Sequence, residues 1–170
     1  MTAAGGVLQG LGPVLDAATR LVVLGSFPGV ASLAAQQYYG HPRNHFWAIL
    51  SALWHIDLVH VAYAERIAAA QAHGLGLWDV YAQCRREGSL DSAIRAPQLI
   101  DLTELMRLAP RLEGIAHNGG ESARAMRHTR EVAPGLAVHR LPSTSPANAS
   151  WHFDRKLAAW RAVFAQHRMA

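Results

Sequence analysis

The chain has 170 residues, of which 51% are hydrophobic and 16% are charged, so it is long enough to bury one core and too apolar to be disordered. Its formal charge of +4 permits a polyanionic partner without requiring one. No apolar run reaches the roughly 18 residues of a membrane span, and no cationic signal-peptide start precedes one, which argues against a membrane protein and predicts a soluble protein of the cytoplasm.

Apolar runs and helical periodicities alternate along the chain. In chain order the predicted elements are a lead-in over residues 1–20, a strand at 21–24, a helix from 44 or 45 to about 55, a helix at 61–73, a strand at 75–81, a loop around 85–91, a helix at 101–108, a strand at 114–118, a helix at 121–130, a strand at 136–141 and a helix at 151–167. Strands separated by helices favour a parallel sheet covered on both faces. We therefore expect an α/β fold with three layers, α/β/α, around a mainly parallel four-stranded sheet, in a single domain over residues 1–170.

Three segments rich in polar and turn-forming residues follow or flank these elements. They are Gly-Ser-Phe-Pro-Gly at 25–29, His-Pro-Arg-Asn-His-Phe-Trp at 41–47 and Leu-Pro-Ser-Thr-Ser-Pro-Ala-Asn at 141–148. The first and third follow predicted strands, and loops at the carboxyl ends of parallel strands form the ligand crevice of such folds. We therefore expect these two segments to face each other across one cleft, with the second close by, and to turn N–H groups toward an anion.

Two catalytic patterns fit this sequence poorly. A serine nucleophile elbow needs Ser at the centre of G-x-S-x-G, where this chain has Phe27. His41 and His45 have the i, i+4 spacing of helical zinc ligands, but Pro42 lies between them. We expect no metal site, a capping or packing role for His41 and a surface position for His45. The single cysteine, Cys84, excludes a disulfide framework and a thiolate cluster, and is expected to be a buried apolar residue.

Polar side chains in and near these segments could act on a ligand. Asn44 either caps the following helix or holds a water molecule through its carboxamide oxygen, which suits a reaction whose electrophile is already reactive, such as a sugar oxocarbenium ion. Tyr38 and Tyr39 either pack or stack on a flat heterocycle, which is worth roughly 1–3 kcal/mol per base. Asp79 ends an apolar strand, and it faces either a helix N-terminus or a ligand because isolated burial of a carboxylate is costly.

Six segments together resemble a known family over residues 20–165. They are Gly-Ser-Phe-Pro-Gly at 25–29, Tyr-Tyr-Gly-His-Pro-Arg-Asn-His-Phe-Trp at 38–47, Leu-Trp-Asp-Val at 77–80, Gly-Ser-Leu-Asp at 88–91, His-Asn-Gly at 117–119 and Leu-Pro-Ser-Thr-Ser-Pro-Ala-Asn at 141–148. In order and spacing they are similar to the uracil-DNA glycosylase superfamily, specifically its hypoxanthine (deoxyinosine) DNA glycosylase branch.

The resemblance implies hydrolysis of the bond between a damaged base and deoxyribose after the nucleotide is flipped from the duplex. Other branches carry a catalytic Asn or Asp where this chain has Phe27, and the resemblance assigns the water-handling role to Asn44. Leu141 stands where many relatives have His or Asn, so its side chain offers the leaving base no hydrogen bond. The implied base-binding residues are Gly25, Ser26, Phe27, Tyr39 and Asp79. The implied DNA-binding residues are Pro142, Ser143, Thr144, Ser145, Pro146, Ala147 and Asn148, with 146–148 entering the gap left by the flipped nucleotide.

The expected substrate is DNA that contains deaminated bases, chiefly hypoxanthine. As an acceptor, Asp79 would receive the N1–H of hypoxanthine and repel the N1 lone pair of adenine. The only lysine, Lys156, is in the last predicted helix and away from the motifs, so we expect no covalent intermediate. We also expect no cofactor and a monomer. Two alternatives stay open, namely a uracil-DNA glycosylase of the same fold and a nucleic-acid-binding relative without activity.

Overall fold

The computed structural model describes residues 5–170, so the first four residues of the predicted lead-in lie outside the described part of the chain. The strands are β1 (Leu8–Gln9), β2 (Leu21–Gly25), β3 (Leu75–Asp79), β4 (Tyr81–Arg85), β5 (Arg95–Leu99), β6 (Gly114–Asn118) and β7 (Ala137–Leu141). The helices are α1 (Val30–Ala35), α2 (Phe46–Trp54), α3 (Tyr63–Ala72), α4 (Leu102–Leu108), α5 (Gly120–Ala123), α6 (Met126–Val132) and α7 (Phe153–Gln166), with a short 3₁₀ turn at Asp91–Ala93. None of the helices within the described residues is long and apolar enough to cross a membrane.

The predicted parallel sheet of four strands is confirmed, in the order β3-β2-β6-β7. Gly25 pairs with Asp79 at the ends of β2 and β3, and Asn118 pairs with Leu141 at the ends of β6 and β7. The carboxyl ends of the four strands therefore meet at one edge of the sheet. This edge is where a ligand crevice is expected in an open α/β sheet.

Both faces of this sheet are covered, as the apolar strands predict. Every residue of β2 is buried, and its side chains alternate between two cores as strand geometry requires. Leu21 and Val23 pack with residues of α2 and α7, whereas Val22 and Leu24 pack with residues of α4 and β4. The second core also contains Cys84, which is buried as expected.

The predicted strand at 75–81 is wrong in one respect, because it is two strands in two sheets. The backbone N–H groups of Val80 and Tyr81 donate to the carbonyls of Gly25 and Ser26 at 2.8 and 3.2 Å. After these two hydrogen bonds the chain leaves the parallel sheet, and β4 joins an antiparallel sheet in the order β1-β4-β5. The sequence hides the change because the run stays apolar through Tyr81, and β5 gives no apolar signal because all of its residues are exposed.

Two helical predictions also need correction. The predicted helix at 121–130 is divided into α5 and α6, since the N–H groups of Arg124 and Ala125 bond three residues back and tighten the chain between them. The short helix α1 was not predicted. The predicted end of the helix at 61–73 is confirmed, because α3 stops before Gly74, whose φ of +77° favours glycine.

Candidate active site

A cleft of about 760 Å³ opens at the carboxyl edge of the parallel sheet. The three polar segments predicted to surround one cleft all line it. The structure brings together every residue that the sequence proposed for catalysis, base binding or DNA binding, namely Gly25, Ser26, Phe27, Tyr39, Asn44, Asp79, Pro142, Ser143, Thr144, Ser145, Pro146, Ala147 and Asn148. The roles of these residues stay predictions, whereas their common location is a property of the fold.

Asn44 lines the cleft immediately before α2. Its Oδ1 accepts a hydrogen bond from the backbone N–H of Phe46 at 2.9 Å, so the side chain caps the first turn of the helix. A carboxamide has two lone pairs on oxygen and two N–H donors. The cap therefore leaves one lone pair and the amide group available in the cleft, and the two roles that the sequence left open are compatible.

Tyr39 is a fixed aromatic wall of the cleft. Its ring stacks on Phe46 with 3.9 Å between centroids and 17° between planes, and its hydroxyl accepts a hydrogen bond from Nδ2 of Asn118 at 3.2 Å. Burial, with the nearby Asp79 carboxylate as the second cause, raises the pKa of this phenol, so it stays protonated. Tyr38 instead packs in the core, where its hydroxyl donates to the carbonyl of Gly12 at 2.6 Å.

Asp79 is a buried carboxyl group at the bottom of the cleft, with a side chain that is only 5% exposed. Within residues 5–170, its Oδ2 has no hydrogen-bond partner. Burial raises its pKa to about 7; the Asp91 carboxylate adds to the rise and the Arg86 guanidinium opposes it. Because a buried oxygen without a partner costs free energy, this geometry favours a ligand over a structural role.

We expect Asp79→Asn to stabilise the protein at alkaline pH. Because the pKa of the folded carboxyl lies near 7 and above its usual 3.8, the unfolded chain ionises first, and the folded state loses stability as the pH rises from about 4 through 7. At pH 8 the amide removes this loss and should raise the Tm by roughly 5 °C, whereas at pH 4 the two proteins should unfold together. Calorimetry at both pH values measures this, and equal Tm values at pH 8 would contradict it.

The Gly25–Gly29 loop is held by residues that follow β4. Oγ of Ser26 donates to Oδ1 of Asp91 at 2.6 Å, a carboxylate rather than an imidazole base, which agrees with the rejection of a serine nucleophile. The guanidinium of Arg86 lies 5.2 Å from the centroid of the Phe27 ring and donates to the carbonyl of Pro28. Arg86 and Asp91 therefore fix the position of the Gly25–Gly29 loop on this side of the cleft.

The loop at 142–148 is anchored to the end of β6. The backbone N–H of Thr144 donates to Oδ1 of Asn118, and Nδ2 of Asn118 donates to Oγ1 of Thr144, both at 3.1 Å. Thr144 is 1% exposed, and its side chain holds the loop in place through the hydrogen bond from Asn118. Nδ2 of Asn148 closes the loop by donating to the carbonyl of Ser143 at 3.1 Å.

Some cleft residues were not among the predicted site residues. Asn118 and Asp91 belong to motifs quoted above, and Asn118 could have been found because it is the last residue of a parallel strand. Val30 and Leu90 also line the cleft and are 55% and 60% exposed. Neither residue lies in an apolar run that would have identified it from the sequence as a cleft residue.

Two expectations, a surface position for His45 and a position of Lys156 away from the motifs, need correction because of the way α7 packs. His45 is only partly exposed, and its Nδ1 lies 3.2 Å from Nζ of Lys156. Lys156 is not away from the motifs, since Nζ also lies 3.4 Å from the carbonyl oxygen of Ser145. The reason is that α7 buries Lys156, Trp160 and Phe164, which are spaced four residues apart on one face.

His41 lines the cleft, where its Nδ1 accepts a hydrogen bond from the N–H of Arg43 at 3.1 Å. The ring therefore stabilises the turn at residues 41–43, and this contact caps no helix. Among the described residues, no group of three or more His, Cys, Asp or Glu side chains is arranged to hold a metal ion.

This arrangement defines an α/β protein with a polar cleft at the carboxyl edge of its parallel sheet. The model of the uracil DNA glycosylase superfamily matches residues 13–166. The hypoxanthine DNA glycosylase of Methanosarcina barkeri is 36% identical over 92% of this chain and 97% of its own length, and that of Methanosarcina acetivorans is 34% identical over 93% and 98%. The solution NMR structure of a candidate uracil DNA glycosylase from Methanosarcina acetivorans has a TM-score of 0.84 and 34% identity, covering 95% of this chain and 98% of that one. The chain belongs to the uracil DNA glycosylase superfamily.

Proposed function

We propose that this protein is a monofunctional DNA glycosylase that hydrolyses the N-glycosidic bond of deaminated bases in DNA, chiefly hypoxanthine. The observation that carries the proposal is the convergence of Asn44, Tyr39 and Asp79 on one cleft, in a chain that is similar over most of its length to proteins named hypoxanthine DNA glycosylase. Stacking, base recognition and water positioning thus each have a candidate side chain in one site.

Base recognition combines a stacking surface with a hydrogen-bond acceptor. Extruding a base from the duplex costs a few kcal/mol, less for a mispaired base, and stacking on Tyr39 offsets about 1–3 kcal/mol of this cost. Ionised Asp79 would accept the N1–H of hypoxanthine and repel the N1 lone pair of adenine. Its Oδ2, which has no partner in the described part of the chain, supports this role because a base would supply the missing hydrogen bond.

Bond cleavage follows a dissociative path in this proposal. The glycosidic bond breaks first, and DNA phosphates and site dipoles stabilise the sugar cation. Asn44 then directs a water molecule to the anomeric carbon. The proton that this water loses passes through solvent to the hypoxanthine anion, which left with the electron pair of the broken bond. The lone pair and amide group that its cap leaves free support this role, and the reaction needs no strong base because the cation is already reactive.

DNA would be held by the loop at 142–148, whose internal hydrogen bonds fix its shape. We propose that the protein acts as a monomer, because the candidate residues Asn44, Tyr39 and Asp79 line one cleft of this chain and no step of the proposed reaction calls for a second subunit. A single buried cysteine is compatible with the reducing cytoplasm. No step of the proposed reaction calls for a cofactor.

Gly25→Ala is expected to lower the rate of hypoxanthine release by about 100-fold, since displacing reacting groups by 1 Å can cost that much. A Cβ at Gly25 would overlap with Oδ1 of Asp79 and lie 3.3 Å from the hydroxyl of Tyr39. Gly29→Ala is the matched control, because its Cβ would meet only Ser89 at 3.4 Å or more. Single-turnover assays measure both variants, and equal rates would refute the proposed packing of the base site.

Borohydride should trap no covalent adduct between the protein and hypoxanthine-containing DNA. A Schiff base forms on an accessible amine, and the side-chain amine of the only lysine, Lys156, is buried at 1% exposure. Gel electrophoresis after borohydride treatment tests this. A trapped adduct that disappears in Lys156→Arg would show that the enzyme is bifunctional.

A panel of oligonucleotides containing hypoxanthine, uracil, xanthine or adenine tests the proposed function. We expect the fastest base release from the hypoxanthine duplex. A faster rate with uracil would favour the first alternative, a uracil-DNA glycosylase of the same fold. DNA binding without base release from any duplex would favour the second, a relative that binds nucleic acid without activity.

A further inference from the structure

Lys156 is a buried cation that contacts both the residue before α2 and the loop at 142–148. It is 1% exposed, although lysine is almost never fully buried without a partner. Its Nζ lies 3.2 Å from Nδ1 of His45 and 3.4 Å from the carbonyl oxygen of Ser145. The cost of burying an ammonium group makes this a position where a purely structural residue would be expected to be apolar.

The two groups that Lys156 contacts belong to the two elements proposed to act on the substrate, namely the start of α2 next to Asn44 and the loop at 142–148. His45 follows Asn44 directly and immediately precedes α2, while Ser145 belongs to the loop at 142–148. The backbone N–H of His45 also donates to the carbonyl of Thr144 at 3.0 Å. One ammonium group therefore joins the helix start that carries Asn44 to the loop that would hold DNA.

We propose that Lys156 is a positioning residue for base release, which holds Asn44 in register with the DNA-binding loop. This inference rests on the proposed role of Asn44. Lys156 does not line the cleft, so it acts through His45 and Ser145 and touches no reacting atom.

The contact depends on the protonation of both partners. Protonated Lys156 donates to the carbonyl of Ser145 and to Nδ1 of His45, which must carry no proton to accept. Within residues 5–170, the groups against Nζ are this imidazole from α2 and this carbonyl from the loop. Burial lowers the pKa of Lys156, and burial together with the Lys156 ammonium lowers the pKa of His45. The lowered pKa of His45 keeps its Nδ1 free of a proton near neutral pH, and the contact is lost at the pH where Lys156 deprotonates.

Three variants of α7 separate this role from a general one. Lys156→Met keeps an aliphatic side chain and removes the ammonium group. Lys156→Arg keeps a cation, whose guanidinium stays protonated throughout the assay range, and Arg161→Met removes an exposed cation from the same helix.

We expect Lys156→Met to lower the single-turnover rate of hypoxanthine release about tenfold or more with little change in the Kd for DNA. Arg161→Met should keep the wild-type rate. In the wild-type protein the rate should fall at alkaline pH as Lys156 deprotonates, which gives the pH–rate profile an alkaline limb. Lys156→Arg should keep activity and lose this limb.

A spectroscopic titration gives a reading that does not depend on activity. Because the chain has one lysine, ¹³Cε-lysine labelling yields one side-chain Cε resonance, and its titration should coincide with the alkaline limb of the wild-type profile. An unchanged rate in Lys156→Met, or the same alkaline limb in Lys156→Arg, would overturn the inference. If the wild-type protein released no base at all, the proposed function would fail instead, and the pKa of Lys156 would still report whether the contact with His45 exists.

Discussion

Asn44→Ala should lower the single-turnover rate of hypoxanthine release by about 100-fold or more, the size of a positioned proton-handling or water-handling group. The alanine can neither hold a water molecule nor donate from an amide, whereas the residues that stack the base and hold the DNA are unchanged. Affinity for inosine-containing DNA should therefore persist. Rapid-quench assays with excess enzyme give the rate, and fluorescence anisotropy gives the Kd.

The cap that Asn44 provides requires a matched control. Loss of the bond to the N–H of Phe46 should cost about 1 kcal/mol of stability. Asn44→Ser keeps an oxygen that can bond two residues on but cannot reach as far into the cleft, so it should recover much of the stability and little of the rate. Wild-type release by either variant would remove Asn44 from the mechanism.

The selectivity for hypoxanthine over adenine should increase with pH between 6 and 8. Above its pKa of about 7, Asp79 is an anion that accepts the N1–H of hypoxanthine. Below that pKa it is an acid that can donate to N1 of adenine, so discrimination falls. Asp79→Asn should lose about 100-fold or more of the selectivity, because an amide can accept the N1–H of hypoxanthine through its oxygen or donate to N1 of adenine through its nitrogen. The remaining selectivity should not depend on pH in this range.

Asp91→Asn tests whether the increase of selectivity between pH 6 and 8, the rising limb of the selectivity profile, comes from Asp79. The Asp91 carboxylate contributes to the raised pKa of Asp79, so its removal should shift the limb toward lower pH without abolishing it. Ratios of single-turnover rates for hypoxanthine and adenine duplexes measure both variants. Full selectivity in Asp79→Ala would show that this carboxylate does not discriminate between the bases.

The parallel sheet could be predicted because its strands carry a strong local signal. Leu21–Leu24 is a continuous apolar run that is buried on both faces, and Gly74 marks the end of α3 with a backbone conformation that favours glycine. Once parallel strands are predicted, the location of the site follows, since their carboxyl ends share one edge. The polar segments after β2 and β7 were therefore expected to face each other across one cleft, with the segment at 41–47 close by, where the structure places them.

Features that depend on distant contacts gave no such signal. β5 is exposed at every residue, so no apolar pattern marks it and its pairing with β4 could not be predicted. A charged residue in a helix is normally solvent-exposed, and only the packing of α7 under the loop shows that Lys156 is buried. The unpaired Oδ2 of Asp79 likewise depends on groups from several elements.

The release of free base from DNA tests the central proposal most directly. An inosine-containing duplex is incubated with excess wild-type protein in EDTA, and the products are analysed by mass spectrometry and by gel electrophoresis. We predict one free hypoxanthine per duplex and an intact strand with an abasic site. Salt-dependent binding of the same duplex with no hypoxanthine released would contradict the proposal and leave a nucleic-acid-binding protein without glycosylase activity.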